Sequence, residues 1–464
     1  MLVIVILRKI NNCEGGCLIE NYQLALDFPS VRGKKVTVDF DGGVVTSDAG
    51  LLLLRETERS VGIIERLSRC IVDKRDRRYI DHSVRELMTQ RTLQIACGYE
   101  DADDSDSLRH DPALKMACGR APLSGEALGS QPTMSRLENA MSRTTLYRMG
   151  IAFVDNFLDS YRRAPDRIIV DVDDTDDPAH GAQQMSLFNA YYDEYCFMPL
   201  HIYEGYSGKL ICTVLRPGKR PDGKEIAAIL KRVMKRIRAR WPKVRMVLRG
   251  DSHFSGPEIF DLCHSMRRTH FVLGLTNNRA LAPLVEDAVK KVEAAYKQVG
   301  KKVKVFVEFP YQAKSWAEPY RVICKIEVSE KGRNVRFIVT DLNGKGPQRM
   351  YDESYCGRGR MENFIKDHKN ALHSDRTSCH RFDANQFRLF LHSAAYVLLH
   401  KLVEKGLRGT ELVKAQFDTI ILKVLKIGAQ VVEGLSRIRV HLPTSCPAQN
   451  LYARIHRNLV CGTA

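Results

Sequence analysis

The order of strand and helix patterns between residues 164 and 276 constrains the fold of this chain more than any other feature. Runs of apolar residues predict five strands, and apolar residues spaced three and four apart predict two helices. The predicted elements, in chain order, are strands at 167–173, 198–206 and 209–215, a helix at 225–240, a strand at 245–249, a helix at 257–266 and a strand at 270–275. This order predicts an α/β protein with one mixed sheet.

Two of these strands end in acids. The first ends at Asp173, within a run of five acids, and the fourth is followed by Gly250 and Asp251. Parallel strands present their carboxyl ends at one edge of a sheet, so these acids are expected to meet there. The ribonuclease H-like fold typically has this order: three strands, a helix, a strand, a helix and a strand, with acids after the first and fourth strands. We therefore predict a ribonuclease H-like mixed sheet.

The chain is basic. Its 464 residues include 72 Lys and Arg against 55 Asp and Glu, a formal net charge of +17. Lys and Arg release counterions from a phosphate backbone, so this excess favours a polyanionic partner. The clearest concentration is the predicted helix segment 231–240, which has six cations and no acid. We predict that Lys235, Arg236 and Arg240 contact the DNA backbone here and position the duplex without reading its sequence.

Cysteine usage and hydropathy limit where the protein resides. Thirteen cysteines lie between Cys13 and Cys461 without a CxxC pair, which favours reduced thiols and a cytoplasmic protein. The apolar stretch 387–403 contains Arg388 and Lys401, so it predicts a buried helix, and we expect no membrane contact.

Five regions follow from these patterns. A predicted hairpin with strands at 36–40 and 44–45 opens the second region, and an antiparallel β insertion with strands at 302–309, 320–328 and 334–339 makes up most of the fourth. The predicted regions are an N-terminal extension (1–33), a hairpin plus a mostly helical DNA-binding region (34–163), the first part of the catalytic domain (164–276), a β-rich insertion (277–350) and a catalytic helix with a C-terminal helical part (351–464).

A helical stretch after the insertion carries an unusual set of side chains. Tyr355, Arg358, Glu362 and Lys369 have the pattern Y-x2-R-x3-E-x6-K. At about 100° per residue their offsets fall within an arc of about 60°, so a regular helix presents all four on one face. That face would combine one carboxylate with a phenol and two cations suited to phosphate oxygens. A solvated charged face with internal ion pairs is the structural alternative.

Cutting and rejoining DNA requires an activated oxygen nucleophile and a stabilised leaving oxygen. Two divalent metals about 4 Å apart achieve both, and carboxylates are well suited to bind Mg²⁺. Three acids that converge from different elements are therefore the minimum for this chemistry. Asp173, Asp251 and Glu362 satisfy that requirement by their placement.

The sequence resembles the DDE transposases of bacterial insertion sequences, in the branch with the Y-R-E-K signature. Within that branch it is most similar to DDE domain group 1, a subgroup linked to piggyBac elements. The resemblance covers about residues 35–455. The stretches that carry it are DVDDTDDPAHG at 171–181, LRGDSHF at 248–254, YCGRGRMENFIKDHK at 355–369 and DRTSCHRFDANQFR at 375–388.

This resemblance implies that Asp173, Asp251 and Glu362 are the catalytic carboxylates and hold two Mg²⁺ (or Mn²⁺) ions. Asp171 lies on the same strand face as Asp173 and is the alternative for the first position. Asp341 also ends a predicted strand and is a rival for the third position, but it lacks the cationic helix face.

Two further residues qualify the resemblance. Asp174 stands where the motif usually has a small residue, which adds negative charge beside the predicted metals. Trp316 lies in the β insertion that this branch carries between the second Asp and the Glu, and a flipped end base could stack on its ring. Packing of Trp316 in the protein core is the alternative.

The resemblance implies a transposase that binds the terminal inverted repeats of its own element, cleaves at the element ends and joins them to target DNA by cut-and-paste movement. Its expected partners are double-stranded DNA and a second copy of the chain in the synaptic complex. Two other classes remain open: a ribonuclease H-like nuclease without strand transfer, and a non-catalytic DNA-binding protein derived from a transposon.

Overall fold

The computed structural model describes residues 6–8, 23–219 and 222–461. Most of the predicted extension 1–33 lies outside these residues. The helices are α1 (Leu51–Val61), α2 (Ile63–Ser68), α3 (Val84–Ala96), α4 (Asp104–Leu108), α5 (Pro112–Ala117), α6 (Gln131–Asn139), α7 (Arg143–Asp159), α8 (Gly223–Arg240), α9 (Pro257–His264), α10 (Ala282–Val299), α11 (Pro347–Arg349), α12 (Gly359–Lys366), α13 (Phe382–Lys401), α14 (Phe417–Ile420) and α15 (Gln449–Val460). The strands are β1 (Ile6–Arg8), β2 (Gln23–Val31), β3 (Lys34–Val38), β4 (Val45–Thr46), β5 (Arg167–Asp174), β6 (Asp177–Pro178), β7 (Leu187–Asn189), β8 (Glu194–Phe197), β9 (Leu200–Glu204), β10 (Leu210–Val214), β11 (Arg245–Gly250), β12 (Thr269–Leu275), β13 (Val303–Tyr311), β14 (Tyr320–Ser329), β15 (Gly332–Thr340), β16 (Ala429–Glu433) and β17 (Ile438–His441).

A mixed eight-stranded sheet organises the molecule, which confirms the predicted α/β class. Its strand order is β10-β9-β5-β11-β12-β15-β14-β13. The three central strands β5, β11 and β12 run parallel, and every other pairing in the sheet is antiparallel. In the register of β5 and β11, Asp171 faces Arg249, so both strands end at the same edge of the sheet. We call this the acid edge, because Asp173 and Asp251 lie on it.

The predicted β insertion exists, but it continues the main sheet. Strands β13, β14 and β15 form the expected antiparallel meander, with a turn between Ser329 and Gly332. β15 also pairs with β12, so that Val272 faces Thr340. The region begins with α10, an amphipathic helix with Val285, Val289 and Val292 buried, which the sequence reasoning did not predict.

The predicted hairpin at 34–47 is wrong. β3 pairs with β2, which precedes it, through a turn in which Arg32 and Gly33 have positive φ. β4 pairs instead with β16, placing Thr46 opposite Ala429. The two strands of the proposed hairpin therefore belong to different sheets, and the second is joined to the C-terminal part of the chain.

Helix α13 is the centre of the helical part of the molecule. Every residue from Ala384 to Leu399 is buried, as expected from its apolar stretch with few charges. It contacts α3 and strand β10, so it joins the helices around it to the sheet. The largest hydrophobic cluster runs from Leu51 to Leu459 and includes residues of both the helical part and the sheet. Among the described residues, no helix is both long and apolar enough to cross a membrane.

Candidate active site

Two of the predicted carboxylates lie together at the acid edge. Asp173 is near the end of β5, and Asp251 directly follows β11. The Oδ1 atom of Asp251 accepts a hydrogen bond from the backbone N–H of His253 at 2.8 Å and so begins the short helical turn Ser252–Phe254. The imidazole Nδ1 of His253 is 3.6 Å from the Oδ2 atom of Asp251 and 3.9 Å from the Oδ1 atom of Asp174. Asp251 is therefore fixed by the turn while its second oxygen faces the site.

Arg358 connects the acid edge to the Y-R-E-K segment. Its Nη2 atom donates to Oδ2 of Asp173 at 2.6 Å, and both side chains are largely buried. Burial opposes the positive charge, but the charges of Asp173 and then Asp251 raise the pKa of Arg358 overall. Tyr355 and Glu362 contribute in the same direction. One guanidinium thus lies within electrostatic reach of all three predicted carboxylates.

Asp173 is poorly solvated and has like charges beside it. Burial raises its pKa from the usual 3.8 to about 7, although the Arg358 charge opposes this rise. Asp251 and Asp174 raise the pKa of Asp173 further. In such surroundings the ionised form of a carboxylate is stabilised when a cation is bound next to it.

The alternative first carboxylate, Asp171, has a different role. Its side chain is fully buried and receives two hydrogen bonds from Arg249, each of 2.6 Å. Burial raises the pKa of Asp171 to about 6, and Arg249 opposes the rise. The third donor group of Arg249, Nη1, bonds to the carbonyl of Ser354 at 2.7 Å. The pair therefore ties β5 and β11 to the Y-R-E-K segment, and both carboxylate oxygens of Asp171 are engaged by Arg249.

The Y-R-E-K segment is helical but not a single regular α-helix. Turns of π-helix at Met350–Tyr355 and Asp367–Ala371 and a 3₁₀ turn at Cys356–Arg358 flank α12. The offsets calculated for a uniform helix therefore do not apply along its length. Three of the four signature residues, Tyr355, Arg358 and Lys369, nevertheless face the acid edge.

Tyr355 and Lys369 lie at opposite ends of that face. A Cβ atom on Gly274 of β12 would lie 2.7 Å from the hydroxyl of Tyr355, so the tyrosine packs directly over that strand. Nζ of Lys369 donates to the backbone carbonyl of Asp176, and it is 3.3 Å from the Asp176 carboxylate and 3.5 Å from Oγ1 of Thr175. The two cations of the signature are thus held by an acid at the end of β5, Asp173, and by one just after it, Asp176.

Glu362 lies on α12 and is exposed to solvent. The neighbouring Met361 is fully buried, and the ring of Phe364 packs against Gly208, where a Cβ atom would lie 2.7 Å from the ring. These apolar contacts fix the helix on the sheet and leave the Glu362 carboxylate outside, on the side of Arg358.

A buried polar network supports the end of this segment. His368 is fully buried, and its Nδ1 atom is 2.9 Å from the hydroxyl of Tyr203 on β9. Its Nε2 atom is 3.4 Å from Oγ of Ser393 on α13. Burial lowers the pKa of His368 well below its usual value, so the ring is neutral. The network joins the residue before Lys369 to both the sheet and the central helix.

The donor set at the acid edge suits a hard divalent cation. All of its candidate ligands are carboxylate oxygens, and Oδ2 of Asp174 and both carboxylate oxygens of Asp177 are buried without a hydrogen-bond partner. Within the described ranges, no three His, Cys, Asp or Glu side chains are close enough together to hold a metal ion. Arg358 is the cation that contacts Asp173 in this structure.

Two other acids that the sequence singles out have partners of their own. The rival Asp341 accepts hydrogen bonds from the backbone of Phe271 and from His270, each of 2.9 Å, at the edge where β12 begins, opposite the acid edge. Asp174 adds negative charge beside Asp173, and its Oδ2 atom is 3.7 Å from the buried Arg216.

Trp316 belongs to the core, so the prediction that its ring stacks on a flipped base is wrong. Its side chain is only 7% exposed and packs edge-on against Phe260 and Tyr311, at ring centroid distances of 5.1 and 5.4 Å. Tyr320 completes this aromatic cluster beneath the sheet extension. Trp316 lies in the loop between β13 and β14, so no strand alternation in the sequence indicates whether its ring points inward.

The basic segment of α8 is not beside the acids. The helix leads into β11, so Arg240 lies at the edge where that strand begins, opposite Asp251. Arg236 donates two hydrogen bonds to Asp155, of 2.6 and 2.9 Å, and Arg240 is 3.4 Å from Asp159, both on α7. Lys235 is exposed. The predicted electrostatic track is therefore partly neutralised by the neighbouring helix.

Sequence reasoning missed several residues that shape the site. Arg249 lies within the quoted LRGDSHF motif, but its role appears only in the pairing of β5 with β11. Gly357, within YCGRGR, is required by the same arginine, because a Cβ atom there would lie 2.6 Å from Nη1 of Arg249. The only signal in the sequence was that Arg249 and Gly357 both lie within stretches that carry the family resemblance.

The chain belongs to the transposases with a DDE domain. The family model described as transposase DDE domain group 1 matches residues 28–461, which confirms the resemblance seen in the sequence. Among solved structures, a cryo-EM structure of the piggyBac transposase synaptic complex with hairpin DNA is similar at 10% identity. That match covers 82% of this chain and 80% of the other, with a TM-score of 0.41. No curated protein sequence matches the chain.

Proposed function

We propose that this protein is the DNA transposase of a bacterial insertion sequence and acts on the terminal inverted repeats of its own element. It would cleave the phosphodiester at each element end and transfer the freed 3′-hydroxyl to target DNA in a cut-and-paste reaction. We assign the sheet β10-β9-β5-β11-β12 to the ribonuclease H-like type, on the basis of its strand order and its two strand-end acids. The reaction would take place in the cytoplasm, at the nucleoid.

The observation that carries this proposal is the contact of one arginine with the acid edge. Arg358 belongs to the same helical segment as Glu362 and bonds to Asp173 at 2.6 Å. This contact joins the segment that carries the third predicted carboxylate to the strand that carries the first, next to the turn that holds Asp251.

Asp173, Asp251 and Glu362 are the residues that would hold divalent metal ions, two Mg²⁺ or Mn²⁺. Bound there, such ions would activate the attacking oxygen and stabilise the leaving oxygen of the phosphodiester. Asp251 is held by its turn, and the surroundings of Asp173 favour a nearby cation.

The chain's own cations would bind and orient the DNA. Nε of Arg358 is buried without a hydrogen-bond partner, so it offers a donor to a phosphate oxygen. Lys369, held at Asp176, lies close enough to the acid edge to contact the next phosphate along the strand. The Tyr355 hydroxyl lies between Gly274 and this edge and would bond to the same backbone. Lys235, Arg236 and Arg240, on the far edge, would contact DNA outside the reacting ends.

Two DNA ends must be held together for cut-and-paste movement, so the proposal includes a dimer of this chain in the synaptic complex. Without strand transfer, the same acids would support a nuclease. A protein that binds the repeats but has no catalysis is the third possibility.

The test is strand transfer with pre-cut ends of the element, in Mg²⁺ and in Mn²⁺, by wild type and three variants. We expect Asp173→Asn, Asp251→Asn and Glu362→Gln to lose joining while retaining binding to the repeats. Joining by wild type excludes the non-catalytic protein and the simple nuclease. Cleavage without joining would support the nuclease, and full joining by Asp173→Asn would refute the site.

A further inference from the structure

An exposed aromatic hairpin projects from the acid edge. It consists of β7, β8 and the turn between them, and we call it the aromatic hairpin. Phe188 is 50% exposed, Tyr191 85%, Tyr192 37% and Tyr195 61%. Phe188 and Tyr195 face each other across the strands with ring centroids 5.6 Å apart, and Tyr191 contacts Tyr192 at 4.9 Å. Four neighbouring aromatic rings on the surface are unusual for a hairpin that serves structure alone.

The hairpin is joined, through the short strand β6, to the end of the strand that carries the first predicted carboxylate. β6 begins at Asp177, four residues after Asp173, and pairs with β8 so that Asp177 faces Phe197. Burial, together with the charges of Asp176, Asp174 and Asp173, raises the pKa of Tyr192 to about 12. The hydroxyl of Tyr192 is therefore within electrostatic reach of the acids where a scissile phosphate would lie.

Cations flank the base of the hairpin on both sides. Nδ2 of Asn189 donates to the carbonyl of Gly218 at 2.8 Å, next to the exposed Lys219. On the other side the backbone N–H of Gln184 donates to the carbonyl of His380 at 2.9 Å, next to the exposed Arg381, whose Nη1 atom donates to the carbonyl of Asn139 at 2.6 Å and whose other guanidinium nitrogens have no bond in the structure to another described residue. This arrangement, aromatic rings between two cations, suits a nucleic acid strand, with rings for its bases and cations for its phosphates.

The turn of the hairpin is acidic. Asp193 and Glu194 lie there, and they repel phosphates from the turn itself. Contact with DNA at the tip must therefore be made by the ring faces and not by the backbone of the turn. A base that has left its duplex presents such a face, whereas paired bases are stacked inside the helix.

We propose that the aromatic hairpin is a stacking platform for unpaired nucleotides at a DNA end. Tyr191, Tyr195 and Phe188 would stack on bases released from the duplex, while Lys219 and Arg381 contact the adjoining phosphates. The proposal rests on the proposed function, because it takes the DNA end held at the acid edge as its ligand. It adds a site that distinguishes a frayed end from an intact duplex.

The test uses two synthetic duplexes of the same sequence in metal-free buffer, one blunt and one with a short unpaired 3′ tail that contains 2-aminopurine. We expect the wild-type protein to bind the tailed duplex about tenfold more tightly than the blunt one, with a change of 2-aminopurine fluorescence on binding. Tyr191→Leu and Tyr195→Leu should each lose that preference and the fluorescence change. Tyr195→Phe, which keeps the ring, should retain both.

Tyr206→Leu is the matched control, since Tyr206 is 54% exposed but lies at the opposite edge of the sheet, where its hydroxyl accepts a bond from Arg167. Equal binding of both duplexes by wild type overturns the platform and leaves the transposase proposal standing. No binding to either duplex overturns both. Wild type could sediment as a dimer that Tyr191→Leu dissociates, while the preference for the tail is unchanged. That result would assign the rings to contact with a second copy of the chain and overturn the proposal.

Discussion

Arg358 is bound to the carboxylate of Asp173, the residue that we propose as the first metal ligand. The 2.6 Å contact joins a guanidinium from the Y-R-E-K segment to a carboxylate at the end of β5. Under the proposed function, a metal would compete with this cation for Asp173, and contact with DNA phosphates would draw the arginine away from the acid.

Removing the charge of Arg358 should tighten metal binding in the absence of DNA. We expect Arg358→Gln to bind Mn²⁺ at least about tenfold more tightly by titration calorimetry, a change of about 1.4 kcal/mol, because nothing then competes for Asp173. Strand transfer should fall in the same variant, since the phosphate contact is lost. Arg360→Gln, the same change two residues on at an exposed position, is the control and should behave as wild type. Unchanged or weaker Mn²⁺ binding by Arg358→Gln would contradict this competition.

Substitutions of the two acids on one face of β5 should have different effects: that of Asp171 on stability, and that of Asp173 on joining. Asp171→Asn leaves the guanidinium of Arg249 buried without its counterion, so we expect the free energy of unfolding in urea to fall by about 3 kcal/mol. Asp173→Asn should not destabilise the protein to this extent, but it should abolish joining. A stable Asp171→Asn variant that fails to join DNA would instead make Asp171 the first ligand.

Stability in metal-free buffer should depend on pH through Asp173. Its pKa rises from 3.8 in the unfolded chain to about 7 in the folded protein, so the folded state binds more protons than the unfolded state between these values. The free energy of unfolding therefore falls as the pH rises from about 4 to about 7. Denaturation at several pH values should show the variant Asp173→Asn gaining stability relative to wild type over that range. A constant difference between the two proteins would show that the carboxyl titrates at its ordinary value.

Gly274 should be intolerant of a side chain. A Cβ atom there would lie 2.7 Å from the Tyr355 hydroxyl and 2.8 Å from the backbone nitrogen of Ser252, which cannot move without displacing Asp251. We expect Gly274→Ala to lower the free energy of unfolding by about 1–3 kcal/mol and to reduce joining. Gly346→Ala is the control, because a Cβ atom there meets nothing within 4 Å. Normal joining by Gly274→Ala would show that Tyr355 can shift without loss of the site.

Much of the central sheet could be predicted from the sequence. The strands that became β5, β11 and β12 are short apolar runs bounded by turns, and the helix between β10 and β11 has a clear amphipathic stripe with Ile226, Leu230 and Val233 buried. Local periodicity suffices where a segment's burial follows directly from its own residues.

The errors share a different cause, because each depends on a partner far along the chain. The partner of β4 is nearly 400 residues away, and nothing in residues 36–47 identifies it. Trp316 is buried because α9 and the sheet extension surround it, and the ion pair of Asp171 exists because β11 pairs with β5. The π turns of the Y-R-E-K segment likewise arise from packing, with Met350 and Tyr351 buried against the sheet.

The pairing of β4 with β16 makes completion of the fold depend on late-synthesised chain. Gly50, just after β4, is so close to the backbone of Leu425 that a Cβ atom would lie 2.4 Å from its Cα, and its N–H bonds to the Leu425 carbonyl. A product terminated between residues 362 and 424 retains all three candidate carboxylates yet lacks Leu425, on which the start of α1 packs. Prematurely ended copies of this protein would thus carry an intact set of acids on an unfinished scaffold.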